Sequence, residues 1–206
     1  MTTKHNNEAA LLIFIKNAEK GKVKTRLAST VGAEKALQIY QALLQHTRTI
    51  AQSVKANRLL FYSSFVDLTD EWPAADFQKY VQQGQDLGAR IQHAFALAFE
   101  NYEKVVIIGS DCASLSTAIV DAAFAKLEEH PFVIGPAMDG GYYLLGMRSY
   151  HPEVFTDIPW STEQVFATTV QRIRQPTLQR HLSGGSADGG CGWDRDDRCA
   201  GAGGSV

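Results

Sequence analysis

Short continuous apolar runs alternate with longer stretches whose apolar residues recur every three or four positions, and this alternation constrains the chain more than any other feature. Leu11-Leu12-Ile13-Phe14-Ile15, Leu59-Leu60-Phe61-Tyr62 and Val105-Val106-Ile107-Ile108-Gly109 have no polar interruption, the pattern of strands covered on both faces. Lys79 to Gln82, Phe132-Val133-Ile134 and Tyr142 to Leu145 read as further short strands. Between the runs, Ala36, Leu37, Tyr40, Leu43, Leu44, Thr47, Ile50, Ala51 and Val54 make one helical stripe, and Leu87, Ile91, Ala94, Phe95, Ala98 and Phe99 another. Ser116 fits the cap of a helix carrying Val120, Ala123 and Leu127. Ser161 with Gln164 fits a capping box opening a helix through Ile173. Strands alternating with helices predict βαβ units and a mostly parallel sheet. Only Gly135 to Gly141 separates the last two strands, which predicts one antiparallel element in a mixed sheet. The fold class is therefore α/β.

Composition narrows the function classes. The 206 residues are 45% hydrophobic and 20% charged, with a net charge of −2, so one globular core forms without disulfides. That charge argues against a nucleic-acid coat or a polybasic membrane surface. No run approaches the roughly 18 apolar residues of a membrane span, and no apolar segment of signal-peptide type precedes Ala9. A cytoplasmic enzyme is the expectation. The segment 183–206 holds eight of the 17 glycines and four Asp against two Arg, without periodicity, and reads as a disordered tail. The expected organisation is an N-terminal extension over 1–10, one domain over 11–182 and the tail. Cys191 and Cys199, with seven residues between them, have no zinc spacing, and the six histidines show neither metal spacing nor triad companions.

In open α/β sheets ligands collect at the carboxyl ends of the strands, so the residues after each run are the candidates. After the first, five cations (Lys16, Lys20, Lys22, Lys24 and Arg26) fall within eleven residues of a chain otherwise balanced in charge. Such an excess draws an anion: Arg26 can grip a phosphate bidentately, and Lys24 acts as a point charge. The same string also reads as a solvated basic loop, since it has no phosphate-binding glycines. Gly109-Ser110-Asp111-Cys112 puts a carboxylate where a hard cation on a diphosphate would sit, or where a turn needs a cap. Asp139-Gly140-Gly141-Tyr142 offers a base or ligand beside backbone that can approach a substrate closely, and it equally fits a hairpin turn. Gln85-Asp86-Leu87-Gly88 opens a helix whose amides can face an anion. Trp160-Ser161 precedes the last helix, with a ring able to pack on a sugar or in the core.

Taken in order, Lys22-Val-Lys-Thr-Arg-Leu27, Gln85-Asp-Leu-Gly88, Gly109-Ser-Asp-Cys112, Gly135-Pro-Ala, Asp139-Gly-Gly-Tyr-Tyr-Leu-Leu-Gly146 and Ile158-Pro-Trp-Ser-Thr162 resemble the DUF2064 family, the radical-SAM/selenodomain-associated transferases. The resemblance spans about Leu11 to Leu182 and implies a GT-A, Rossmann-like three-layer sandwich that binds a nucleotide. It implies a transferase, with glycosyl transfer from a nucleotide-diphospho-sugar to a small-molecule acceptor as the leading reading. The Lys-Thr-Arg-Leu string is also similar to 2-phospholactate guanylyltransferases, which implies nucleotidyl transfer as the alternative. A nucleotide-binding module without catalysis is a third reading. On this resemblance Lys16, Lys24, Thr25, Arg26, Gln85, Gly88 and Ser110 bind the nucleotide. Asp111 holds Mg2+ or Mn2+ and serves catalysis. Asp139 acts on the acceptor, and Gly140, Gly141, Tyr142, Trp160 and Ser161 line its place. GT-A enzymes carry a DxD motif, whereas this chain has one Asp in Ser-Asp-Cys. Family members usually continue with an acidic segment and a closing helix where this chain runs into its glycine-rich end.

Overall fold

A computed structural model describes residues 8–175. The elements are β1 (Ala9–Ile15), α1 (Thr25–Val31), α2 (Ala33–Ser53), β2 (Asn57–Tyr62), β3 (Gln78–Val81), α3 (Leu87–Phe99), β4 (Lys104–Gly109), α4 (Thr117–Glu129), β5 (Phe132–Pro136), β6 (Tyr142–Met147), a 3-10 turn over Pro152–Phe155, and α5 (Val165–Ile173). The six strands form one sheet in the order β3-β2-β1-β4-β6-β5. β1 pairs parallel with both β2 and β4, and β2 with β3. β6 alone runs against its neighbours β4 and β5, which is the antiparallel element the short 135–141 connection requires.

Each face of the sheet is covered, which is why the central runs are apolar without alternation. One face packs Leu12, Phe61, Ile107 and Leu145 against Ile91, Ala94, Phe95 and Ala98 of α3 and Ile173 of α5. The other packs Leu11, Ile13, Leu60 and Ile108 against Ile50 and Ala51 of α2, against Val54 that caps it, and against Val120, Ala123 and Leu127 of α4. Leu11, Leu12 and Ile13 are fully buried, and burial of one such side chain contributes about 1.5–3 kcal/mol. The loop holding Trp72 forms neither helix nor strand, as expected, and the indole is buried edge-on against Phe77 at 4.9 Å.

The local readings mostly stand. Asp86 caps α3 by accepting from Ala89 N–H at 2.8 Å, and Ser116 caps α4 through Ile119 N–H. Two do not. The basic loop ends at Lys24, because Thr25 and Arg26 already lie in α1, a helix with no buried residue and so no stripe to betray it. The capping box at Ser161 and Gln164 is not formed. Ser161 takes a φ of 66°, Gln164 itself is the cap residue without a side-chain bond, and Thr162 Oγ1 accepts from Gln164 N–H instead. The expected tail over 183–206 and residues 1–7 of the expected extension lie outside the described residues.

Candidate active site

The chain leaves β1 to one side, toward β2 and β3, and returns to β4 on the other, so the boundary between β1 and β4 is the switch point where such sheets bind ligands. Phe14 pairs with Gly109 there, which brings the two following loops side by side. Val23 is buried and pins the first loop, while Lys24 beside it turns into the left-handed region at φ 48°, ψ 44°. From that position its ammonium reaches Asp111, with Nζ 3.3 Å from Oδ1. Lys20 is paired with Glu34 and Lys22 with Glu19. Lys16, Thr25, Arg26 and Gln85 are exposed and have no side-chain partner among the described residues. The local cation excess of the sequence thus resolves into two self-neutralised lysines, one lysine on Asp111, and two cations free to meet an anion.

Sequence reasoning missed the residues that hold this arrangement together. The Tyr40 phenol, buried on α2, accepts from Lys16 N–H at 2.8 Å, donates to Lys16 C=O at 3.1 Å and, with its own proton so used, accepts from Ser110 Oγ at 3.2 Å. It fastens the end of β1 to the loop after β4. Burial pushes the phenol above its ordinary pKa, and the hydrogen bonds with Ser110 and Lys16 partly oppose that shift. Asn17 donates to Phe65 C=O at 2.8 Å and accepts from Ser64 N–H at 3.1 Å, tying the same strand end to the loop after β2. Gln82 donates to Ile15 C=O and Phe61 C=O, both at 3.1 Å. Tyr40 sits within an apolar stripe and therefore reads as core. The signal that distinguishes it is a phenol where leucine would serve.

A second cluster forms at the same edge, because β6 begins where the parallel strands end. The indole of Trp160 lies over Gly88: a Cβ there would stand 2.0 Å from Trp160 Nε1. The Tyr142 ring meets Trp160 edge-on at 6.4 Å, with its hydroxyl buried and without a hydrogen-bond partner. Burial raises that phenol's pKa. Gly140, at φ 83°, lies against Glu163 and accepts from Phe166 N–H at 2.9 Å, so the 137–141 turn is docked on the start of α5. Asp139 Oδ1 accepts from Gly141 N–H at 3.1 Å, and the carboxylate is exposed. In this arrangement the close approaches of Gly88 and Gly140 are made by protein atoms. Ser161 is exposed at the edge of the cluster.

The residues implied for a divalent ion fit it through one carboxylate. Asp111 is 67% exposed and already carries a cation, the Lys24 ammonium. Mg2+ is commonly held by one or two carboxylates plus substrate phosphates, so this donor set suffices when a diphosphate is present. Among the described residues no group of three or more His, Cys, Asp or Glu assembles, at Asp111 or away from it. His46 bonds Leu115 C=O and His151 bonds Ser149 Oγ, as structural histidines do. Nor is any described helix long and apolar enough to cross a membrane.

The sequence pattern of DUF2064, described as an uncharacterized protein conserved in bacteria, matches residues 43–162. A candidate nucleotide-diphospho-sugar transferase from Desulfovibrio desulfuricans G20 is 37% identical and superposes at a TM-score of 0.76, over 82% of this chain and 76% of its own. A 4-diphosphocytidyl-2C-methyl-D-erythritol synthase shares the fold alone, at 11% identity and a TM-score of 0.50, over 82% of this chain and 86% of its own. No curated protein matches the chain. The match over more than half the sequence, together with the Desulfovibrio relative and a six-stranded, mostly parallel sheet between two helical layers, shows that the chain belongs to the DUF2064 family.

Proposed function

We propose that this protein is a nucleotide-dependent transferase that moves a glycosyl group from a nucleotide-diphospho-sugar to a small acceptor. The Lys24–Asp111 pair at the β1/β4 switch point, flanked by the unpartnered Lys16 and Arg26, carries this reading. An exposed carboxylate beside free cations is what a metal-bound diphosphate needs, and the name of the 37% identical relative agrees. The acceptor hydroxyl oxygen would attack the anomeric carbon while the bond from that carbon to the β-phosphate oxygen breaks. The nucleoside diphosphate would depart with the bonding electrons, its charge stabilised by Lys16, Lys24 and Arg26. Asp139 would take the acceptor proton on Oδ2, since Oδ1 is engaged by Gly141 N–H. Mg2+ or Mn2+ held by Asp111 would supply Lewis-acid stabilisation of the leaving diphosphate. Trp160, over Gly88 and against Tyr142, would form the acceptor wall with Gly140, Gly141 and Ser161.

The same cations and carboxylate also suit attack of a phosphorylated acceptor on the α-phosphorus of a nucleoside triphosphate, and the fold shared with the 4-diphosphocytidyl-2C-methyl-D-erythritol synthase keeps this second reading open. Product analysis separates the two. Incubation with sugar nucleotides or nucleoside triphosphates, Mn2+ and an acceptor mixture should release nucleoside diphosphate for glycosyl transfer and pyrophosphate for nucleotidyl transfer. Nucleotide binding with neither product would overturn both in favour of a binding module.

A further inference from the structure

The carboxylate that this edge offers to a hard cation is already occupied by a cation belonging to the chain. Lys24 Nζ stands 3.3 Å from Asp111 Oδ1, its side chain 24% exposed against 67% for Asp111. Lys24 is one of three described non-glycine residues at positive φ, a conformation that costs energy and clusters at functional sites. The buried Val23 next to it fixes the backbone there. The placement is therefore built, although the ammonium itself is a point charge on a flexible four-carbon stem. It can swing from carboxylate to phosphate without moving the backbone.

A divalent ion and an ammonium on one carboxylate repel each other. We propose that Lys24 is an exchangeable counter-ion: it neutralises Asp111 while the site has no nucleotide, and it releases Asp111 when a diphosphate takes the ammonium. Metal and nucleotide then bind as a pair, and the empty protein does not collect metal. An exposed ion pair is weaker than a charge-assisted bond to phosphate, so the exchange runs downhill once the diphosphate arrives. This inference rests on the reading of Asp111 as the metal ligand.

Mn2+ binding, followed by the electron paramagnetic resonance of the free ion, tests it without any turnover. The proteins are wild type, Lys24→Gln, Lys24→Arg, Asp111→Asn and the Lys24→Gln/Asp111→Asn double variant, each with Mn2+ alone and with Mn2+ plus inorganic pyrophosphate. Lys24→Gln is expected to bind Mn2+ alone at least tenfold more tightly than wild type, Lys24→Arg to stay near wild type, Asp111→Asn to lose the Mn2+ that wild type takes up with pyrophosphate, and the double variant to lose the Mn2+ that Lys24→Gln binds alone. Pyrophosphate should raise Mn2+ affinity in wild type and do so far less in Lys24→Gln. If Lys24→Gln matches wild type while Asp111→Asn still loses Mn2+, the counter-ion role is overturned and the metal site stands. If Asp111→Asn changes nothing even with pyrophosphate, the metal reading falls and this inference with it.

Discussion

The indole of Trp160 fills the volume that a side chain on Gly88 would need, with Nε1 2.0 Å from the position of the absent Cβ. The first turn of α3 and a loop 72 residues further along the chain are locked by that contact, and Tyr142 closes it from a third side. Gly88→Ala must displace the ring or the start of α3. A cost of about 1–3 kcal/mol is expected from the overpacking, read as a lower midpoint in urea. Near-ultraviolet circular dichroism should lose Trp160 intensity. A variant with the wild-type midpoint and spectrum would show that the ring does not sit there.

Lys16 and Arg26 are the cations left free at the switch point, so their removal should touch binding and leave the fold alone. Arg26→Ala is expected to weaken nucleotide affinity by the worth of a charge-assisted bond, about 1.5–3 kcal/mol, or roughly 10- to 150-fold. Calorimetric titration measures this, and the melting temperature should stay within a degree or two of wild type. Equal affinity in Arg26→Ala would remove it from the phosphate site.

Asp139→Asn preserves the turn, because the amide oxygen can still accept from Gly141 N–H. It deletes only the basicity. We expect kcat to fall about 100- to 10,000-fold with nucleotide affinity unchanged. A comparable loss in nucleotide binding would move Asp139 to the donor half of the site.

Tyr40 links stability to pH. Its phenol is raised above the ordinary value of 10.0 by burial, as are those of Tyr62 and Tyr142. Above pH 10 the folded chain keeps these protons and the unfolded chain loses them. The unfolded state then binds fewer protons, and stability must fall as pH rises. Tyr40→Phe should cost about 1–3 kcal/mol at pH 7, because Lys16 N–H loses its acceptor. It should also flatten the decline between pH 9.5 and 11.5. Urea unfolding across that range gives both numbers, and an unchanged slope would mean that the phenol is not held as described.

The strands and most helices were legible because the constraint that forms them is written locally. Val105 to Gly109 must be covered on both faces, and an apolar run says so. The position of Asp111 at the end of β4 was legible for the same reason, as the first carboxylate after such a run. What the sequence could not display was pairing across distance. Lys24 and Asp111 are 87 positions apart, and their meeting depends on β1 lying beside β4. α1 escaped notice because it buries nothing. Tyr40 reads as packing because the spacing that buries a phenol is the spacing that buries leucine. At Ser161 the capping pattern was present, but the left-handed turn after Trp160 handed the hydroxyl role to Thr162. The pattern specified the residue types, and the docking of Trp160 decided which one was used.

The central position of β1 also sets a schedule for synthesis. Its two hydrogen-bonded neighbours are β2 and β4, and Lys104 follows its partner Ala9 by 95 residues. At about 5–20 residues per second on the ribosome, one edge of β1 waits roughly 5–20 s for its second neighbour to emerge. During that interval Leu11, Leu12 and Ile13 lack the β4 side of their cover, and a nascent chain paused before residue 109 presents an apolar strand edge to whatever stands near the exit tunnel.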